Sequence, residues 1–248
     1  MAAWRLVLTL ATAASTALLT TGCATGESFQ PIHPGIRWDR NLAKISIDGS
    51  VCLDNGILEY LAVTPGGKEY ESLLRLHCRP MHLQQVMLLA GYEIGEPEET
   101  ARGDYTGDSQ RATNAPQAAT PPKDYWSRGP GTPTRVAIEI EIRDRNDSWT
   151  RRPIESVLFD RETGQPPKHL RWVFTGSYFV EPDSDRPGYF AADRAQSVIA
   201  LWYDPTCLLN LADDVGNPYR ADDAGLEVRP TATLPRDTPV RLILGPVR

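Results

Sequence analysis

Apolar and polar positions alternate most densely between Val51 and Gly91, a stretch entered by an extended run that starts at Ile45. Ile45, Ile47 and Val51 fall on one face of an extended run, and Ser46, Asp48 and Ser50 fall on the other. A period of two is the pattern of a half-buried strand. Asn55-Gly56 separates this run from a second apolar one, and both residues tolerate the positive φ of a type I′ turn. The expectation is a hairpin of Ile45–Leu53 with Ile57–Thr64. Pro65-Gly66-Gly67 then turns the chain into a third strand, Lys68–His77, with Tyr70, Leu74 and Leu76 on one face. Together these make a three-stranded meander. Pro80 suits the first position of a helix, Leu83, Val86, Met87 and Ala90 recur at helical spacing, and Gly91 suits its end, which predicts an amphipathic helix over about 80–91.

Periodicity stops beyond Tyr92. Pro97–Pro133 is rich in Glu, Gly, Asp, Thr, Ala and Pro, and reads as a disordered insertion, or else as a linker between two domains. Order resumes where Val136, Ile138, Ile140 and Ile142 alternate with Ala137, Glu139, Glu141 and Arg143. Arg145-Asn146-Asp147 turns the chain, and Ile154–Phe159 is either a helical turn or a strand. Leu170–Val180 and Val198–Asp204 read as strands, the latter apolar on both faces and so central in a sheet. Pro218–Pro235 looks irregular, and Val240–Leu244 forms a last strand. The fold class expected is α+β, mostly β, with antiparallel sheets and one clear helix.

The beginning of the chain bears on location. Arg5 precedes an apolar run from Leu6 to Leu19, and small residues then lead to Gly22-Cys23, the layout of an export signal over residues 1–22. A cysteine at that place is similar to the acylated cysteine of bacterial lipoproteins, although Thr20 stands where leucine is usual. Lipidation at Cys23 would make the membrane a partner through the lipid, and Ala24 after it leans toward the outer membrane. Residues 23–44, with Gly, Pro, Ser and Thr and no apolar period, read as a tether, and 45–248 as the folded domain.

Net charge is −6, and Lys and Arg form no stripe, so no nucleic-acid partner is expected. With Cys23 acylated, Cys52, Cys78 and Cys207 remain, none at a two-residue spacing typical of zinc or iron–sulfur ligands. In the meander, Cys52 and Cys78 would lie two strand spacings apart, roughly 9–10 Å, too far for a disulfide.

Several motifs resemble the YdjY family of bacterial envelope proteins: Val51-Cys52-Leu53, Gly56-Ile57-Leu58-Glu59, Gly67-Lys68-Glu69-Tyr70-Glu71-Ser72, Trp172-Val173-Phe174-Thr175-Gly176-Ser177 and Thr238-Pro239-Val240. The resemblance covers nearly everything from Ile45 onward and implies one domain with an insertion. It implies no established activity. Some members carry ferredoxin-like cysteine motifs that are missing here, and Tyr70 stands where the family pattern has histidine.

Candidate chemistry is thin. A lysine beside carboxylates in a cleft can act as acid or base, which draws attention to Lys68, Glu69 and Glu71. In a strand, however, Lys68 and Glu71 would face opposite sides unless a bulge or an unpaired end brought them together. His77 and His82 could share a metal with Glu71, Cys78 or Asp204, but their spacing matches no ligand motif. Ser177 lacks the flanking glycines of a nucleophile elbow and reads as a strand hydroxyl, while Gly176 would allow a ligand close to the backbone. Lys68, Glu71, His82 and Ser177 form the candidate cluster, with no cofactor and no metal expected. The sequence favours a lipid-anchored, non-catalytic binding or accessory protein of the envelope, with an unknown envelope protein or small ligand as partner. The alternative is a metal- or redox-linked enzyme component at Lys68, Glu71 and His82.

Overall fold

The alternation around Ile45 and Ile47 produces the strand on which everything else is built, β3 (Lys44–Val51), in the computed structural model. The structure describes residues 26–95, 132–144, 146–213, 215, 224–229 and 234–247; the predicted insertion lies almost wholly outside them, as do the signal segment and Cys23. Before β3 come β1 (Gln30–His33) and β2 (Ile36–Asp39). After it come β4 (Ile57–Leu58), β5 (Tyr60–Val63), β6 (Ser72–Leu76) and α1 (Pro80–Leu89). The second half supplies β7 (Arg135–Arg143), β8 (Trp149–Pro153), β9 (Leu158–Asp160), β10 (Trp172–Phe174), β11 (Phe179–Val180) and β12 (Tyr189–Phe190). It closes with α2 (Ala191–Ala195), β13 (Ser197–Ala200), β14 (Leu209–Leu211), β15 (Leu226–Val228) and β16 (Pro239–Pro246).

The protein is mostly β, and its main sheet closes on itself. The order β3, β16, β7, β10, β14, β13, β5, β6 returns to β3, an eight-stranded barrel with strands from both sides of the 96–131 segment. The interior of eight strands is just wide enough for side chains to fill. Ile45, Ile47, Leu74, Ile138, Trp172 and Leu242 are all buried in one continuous core. β3 shares one edge between two partners: its Lys44 end pairs with β2 and its Val51 end with β6. β4, β15 and β9 form a small separate sheet, as do β11 and β12.

On the outer face, registered partners carry alternating charge. Asp48 is opposite Arg241, Arg241 opposite Glu141, and Glu141 opposite Arg151. Arg151 Nη2 lies 2.8 Å from Glu141, and the Arg241 guanidinium sits 4.0 Å over the Trp149 ring. Directly opposed unlike charges favour this register over a slip by one residue.

Several expectations are corrected. The residues read as a tether hold β1 and β2, ordered by pairing with each other and with β3; two four-residue strands are too short to show a period in the sequence. Asn55-Gly56 does bend the chain, with Gly56 at φ +109°, but the strands flanking it do not pair. β16, whose Val240, Leu242 and Leu244 are buried, takes one edge of β3 over six registered pairs. β6 takes part of the other edge, so the meander order is wrong, and β6 runs parallel to β5. The sheet is therefore mixed, with a second parallel pair at β13 and β14. Cys52, Cys78 and Cys207 are free thiols. Leu170–Val180 is interrupted after Phe174, since Gly176 sits at φ +67°. The helix over 80–91 is found as α1 with Gly91 at φ +85°, and β7 follows the predicted alternation. β8, β14, β15 and α2 are elements that the pattern did not reveal.

Candidate functional site

Parallel neighbours in a sheet need a connection that travels back along the barrel. Both such connections, Thr64–Glu71 after β5 and Leu201–Leu208 after β13, flank adjacent strands, because β5 pairs with β13. Among the described residues, the buried polar side chains of Glu71, Ser72, Ser197, Asp204, Thr206 and Asn210 gather around them.

The first connection ends in a single 3₁₀ turn, Glu69–Glu71, where a strand was predicted. A turn of three residues eclipses i and i+3. Lys68 Nζ is thereby brought 2.9 Å from Glu71 Oε1, and it also lies 3.3 Å from Glu59 Oε2 and 5.1 Å above the Tyr60 ring. The expectation that Lys68 and Glu71 face apart is overturned. Burial, then the adjacent Glu71 carboxyl, push Glu59 up to about 7 against the pull of Lys68. For Lys68, burial works against the charged form, but Glu71 and Glu59 outweigh it and hold the ammonium above its usual value. Chemically, Glu59 can hold or release a proton near neutrality, whereas Lys68 is locked as a cation and is a poor base or nucleophile.

Beside this triad the second connection is pinned by Asp204. Its Oδ1 accepts hydrogen bonds from Thr206 N at 2.8 Å and Thr206 Oγ1 at 2.6 Å, and its Oδ2 accepts from Tyr60 Oη at 3.0 Å. Asn210, fully buried in β14, accepts from Asp204 N at 2.8 Å and donates to Thr175 Oγ1 at 2.6 Å. Asp204 is thus the anchor of a turn, an Asx motif followed by proline.

The other predicted site residues lie elsewhere. His82, in the first turn of α1, stacks on His33 of β1 with centroids 4.2 Å apart and planes at 16°. Burial and then the His33 and Arg79 charges lower its pKa. His77 stands on the far side of β3's edge, with Nε2 3.4 Å from Ser50 Oγ. Ser177 is not in a strand: its Oγ accepts from Ala192 N at 3.1 Å, and its backbone N donates to Gln84 Oε1 at 2.7 Å, so it joins α1 to α2. A Cβ at Gly176 would meet the Ile94 side chain at 2.6 Å, so the close approach there is taken by Ile94. Tyr70 projects into solvent. Lys68 and Glu71 are brought together with each other, but their partners do not overlap with those of His82 or Ser177.

Sequence reasoning missed Glu59 and Tyr60. The available signal was a single acidic residue directly before four consecutive buried residues, Tyr60–Val63, a place where a carboxylate must find a partner. Among the described residues no group of three or more His, Cys, Asp or Glu side chains is placed to hold a metal ion, and no helix is long and apolar enough to cross a membrane. No protein-family model, curated protein or solved structure matches the chain.

Proposed function

We propose that the chain is a lipid-anchored protein of the bacterial envelope, similar to the YdjY type, that works by binding and not by catalysis. The observation that carries this reading is Gly22-Cys23 at the end of the Leu6–Leu19 apolar run, followed within seven residues by β1. A barrel filled by its own side chains, with Lys68 held between Glu59 and Glu71, supports a role for the outside of the barrel over its interior. Replacing Cys23→Ser should abolish metabolic labelling with fatty acid and release the protein from membranes. Undiminished membrane association would refute the anchoring.

One observation favours a second reading. Glu59, with its pKa near neutrality beside Glu71 and Lys68, is suited to acid–base work in an enzyme component. The site for that alternative then comprises Glu59, Lys68 and Glu71, without His82. Turnover of an envelope substrate lost on Glu59→Gln, with unchanged stability at pH 5, would establish it.

A further inference from the structure

The two ends of the barrel differ. At the Lys44 end, β3, β7, β13 and β14 begin and β5, β6, β10 and β16 finish, as their registers require. α1 follows β6 at this end. Its Gln84 exchanges hydrogen bonds with Ser177 beyond β10, and Tyr92, past its last turn, donates to Ala43 O in the β2–β3 turn at 2.9 Å. The helix therefore lies across the mouth of the barrel. Leu83, Val86 and Met87 enter the core, while Leu88 and Leu89 remain 46% and 65% exposed. Leu42, in the β2–β3 turn, is 36% exposed, and Val247, after β16, is 48% exposed. Arg40 lies beside them with its guanidinium 5.0 Å over the Trp38 ring.

The N-terminal arm is fixed at this same end. Ser28 N donates to Asp39 Oδ2 at 2.6 Å, and Glu27 Oε1 lies 2.7 Å from Lys44 Nζ and 2.6 Å from Arg151 Nη1. Only Ala24, Thr25 and Gly26 separate Cys23 from Glu27. Four residue steps span at most about 14 Å. An eight-residue strand such as β3 is already roughly 26 Å long, so so short a leash cannot bring the opposite end to the point of attachment.

We infer that the Lys44 end of the barrel, with its rim of Leu42, Leu88, Leu89 and Val247, seats on the lipid surface that holds the acylated Cys23. The inference rests on the anchoring proposed above. Apolar rim residues gain by leaving water at the headgroup boundary, and an arginine on a long stem beside them can stay with the phosphates. The segment 96–131 leaves and re-enters the fold at this end, through Gly95 and Thr132, and is the competing occupant.

The test uses acylated protein in vesicles of phosphatidylethanolamine and phosphatidylglycerol, with a fluorophore on Leu42→Cys or, at the other end, on Ile57→Cys. Cys52 and Cys78, whose thiols burial pushes up to about 11 and about 12, react slowly at neutral pH, and Cys207 is fully buried. Nitroxide-labelled lipid should quench the probe at 42 at least about fivefold more than the probe at 57. Leu88→Asp with Leu89→Asp, both exposed and so tolerated, should lower that quenching while the fatty acid on Cys23 is retained. Equal quenching at both positions, with acylation verified by mass, would overturn the seating and leave the anchoring intact. A probe at 42 shielded from aqueous iodide to the same degree with and without vesicles would give the rim to segment 96–131 and overturn the inference. Absence of fatty acid on Cys23 would remove both.

Discussion

The Tyr60 hydroxyl donates to Asp204 Oδ2 at 3.0 Å across a separation of 144 residues, joining β5 to the connection that follows β13. Because Asp204 also accepts twice from Thr206, its carboxylate keeps partners when Tyr60 is truncated. Tyr60→Phe should therefore cost about 1–2 kcal/mol, and Asp204→Ala, which strands several donors in a buried place, about 3 kcal/mol or more. Urea denaturation would check the order. Equal losses would mean that the tyrosine bond alone holds the connection.

Glu59 makes stability depend on pH in a direction opposite to an ordinary ion-paired carboxylate. Its folded value, about 7, is raised above the ordinary 4.5, so the folded state holds the proton more tightly. The associated stability is fully present below about 4.5 and is lost as pH rises through about 7. Glu59→Gln should remove this fall, gaining on the wild type between pH 5 and pH 8 as measured by urea midpoints. Lys68→Met should be most harmful at pH 8, where it leaves two carboxylates facing each other, and Glu59→Gln should rescue it.

Glu27 shows the usual sign. The Arg151 guanidinium, helped by Lys44 and opposed by burial, lowers it from 4.5 to about 2. The stability it supplies is present above about 4.5 and disappears as pH falls toward 2. Glu27→Gln should cost about 1–2 kcal/mol at pH 7, allowing for partial exposure, and almost nothing near pH 2.

Two glycines with similar backbone angles should respond differently to alanine. Gly35 has φ +71° and a Cβ there would lie 2.0 Å from His77 O, whereas Gly164 has φ +65° and nothing within 4 Å. Gly164→Ala should cost about 1 kcal/mol from backbone strain alone. Gly35→Ala must also push the β1–β2 hairpin off the barrel and should cost at least about 3 kcal/mol. Thermal melts that coincide would contradict the packing of that hairpin on His77.

The elements legible in the sequence were those whose burial pattern is long enough to repeat. β7 has nine residues and α1 ten, and both were found where periodicity placed them. β14, three residues buried throughout, offers neither alternation nor length. Partner choice was less legible than strand existence. Asn55-Gly56 makes a local hairpin cheap in loop-closure entropy, yet β3 pairs with β16, nearly two hundred residues away, because closing the barrel buries the inward faces of both strands, Ile45, Ile47 and Val51 on one and Val240, Leu242 and Leu244 on the other. At the candidate site, reading Lys68–His77 as one strand separated Lys68 from Glu71, and a single 3₁₀ turn reversed that relation.

An open eight-stranded sheet would end in two rows of unpaired N–H and C=O groups, ready to accept a strand from another molecule. Closure of β3 onto β6 removes both rows. Among the described residues, the free edges left in the large sheet belong to β1 and β8, four and five residues long. Pro31 and Pro153 take an N–H from each of them, and Arg151 and Arg152 add charge. Crowded copies of this chain thus offer one another little backbone to template on, and resistance to edge-to-edge aggregation follows from the same ring of pairings that holds the core.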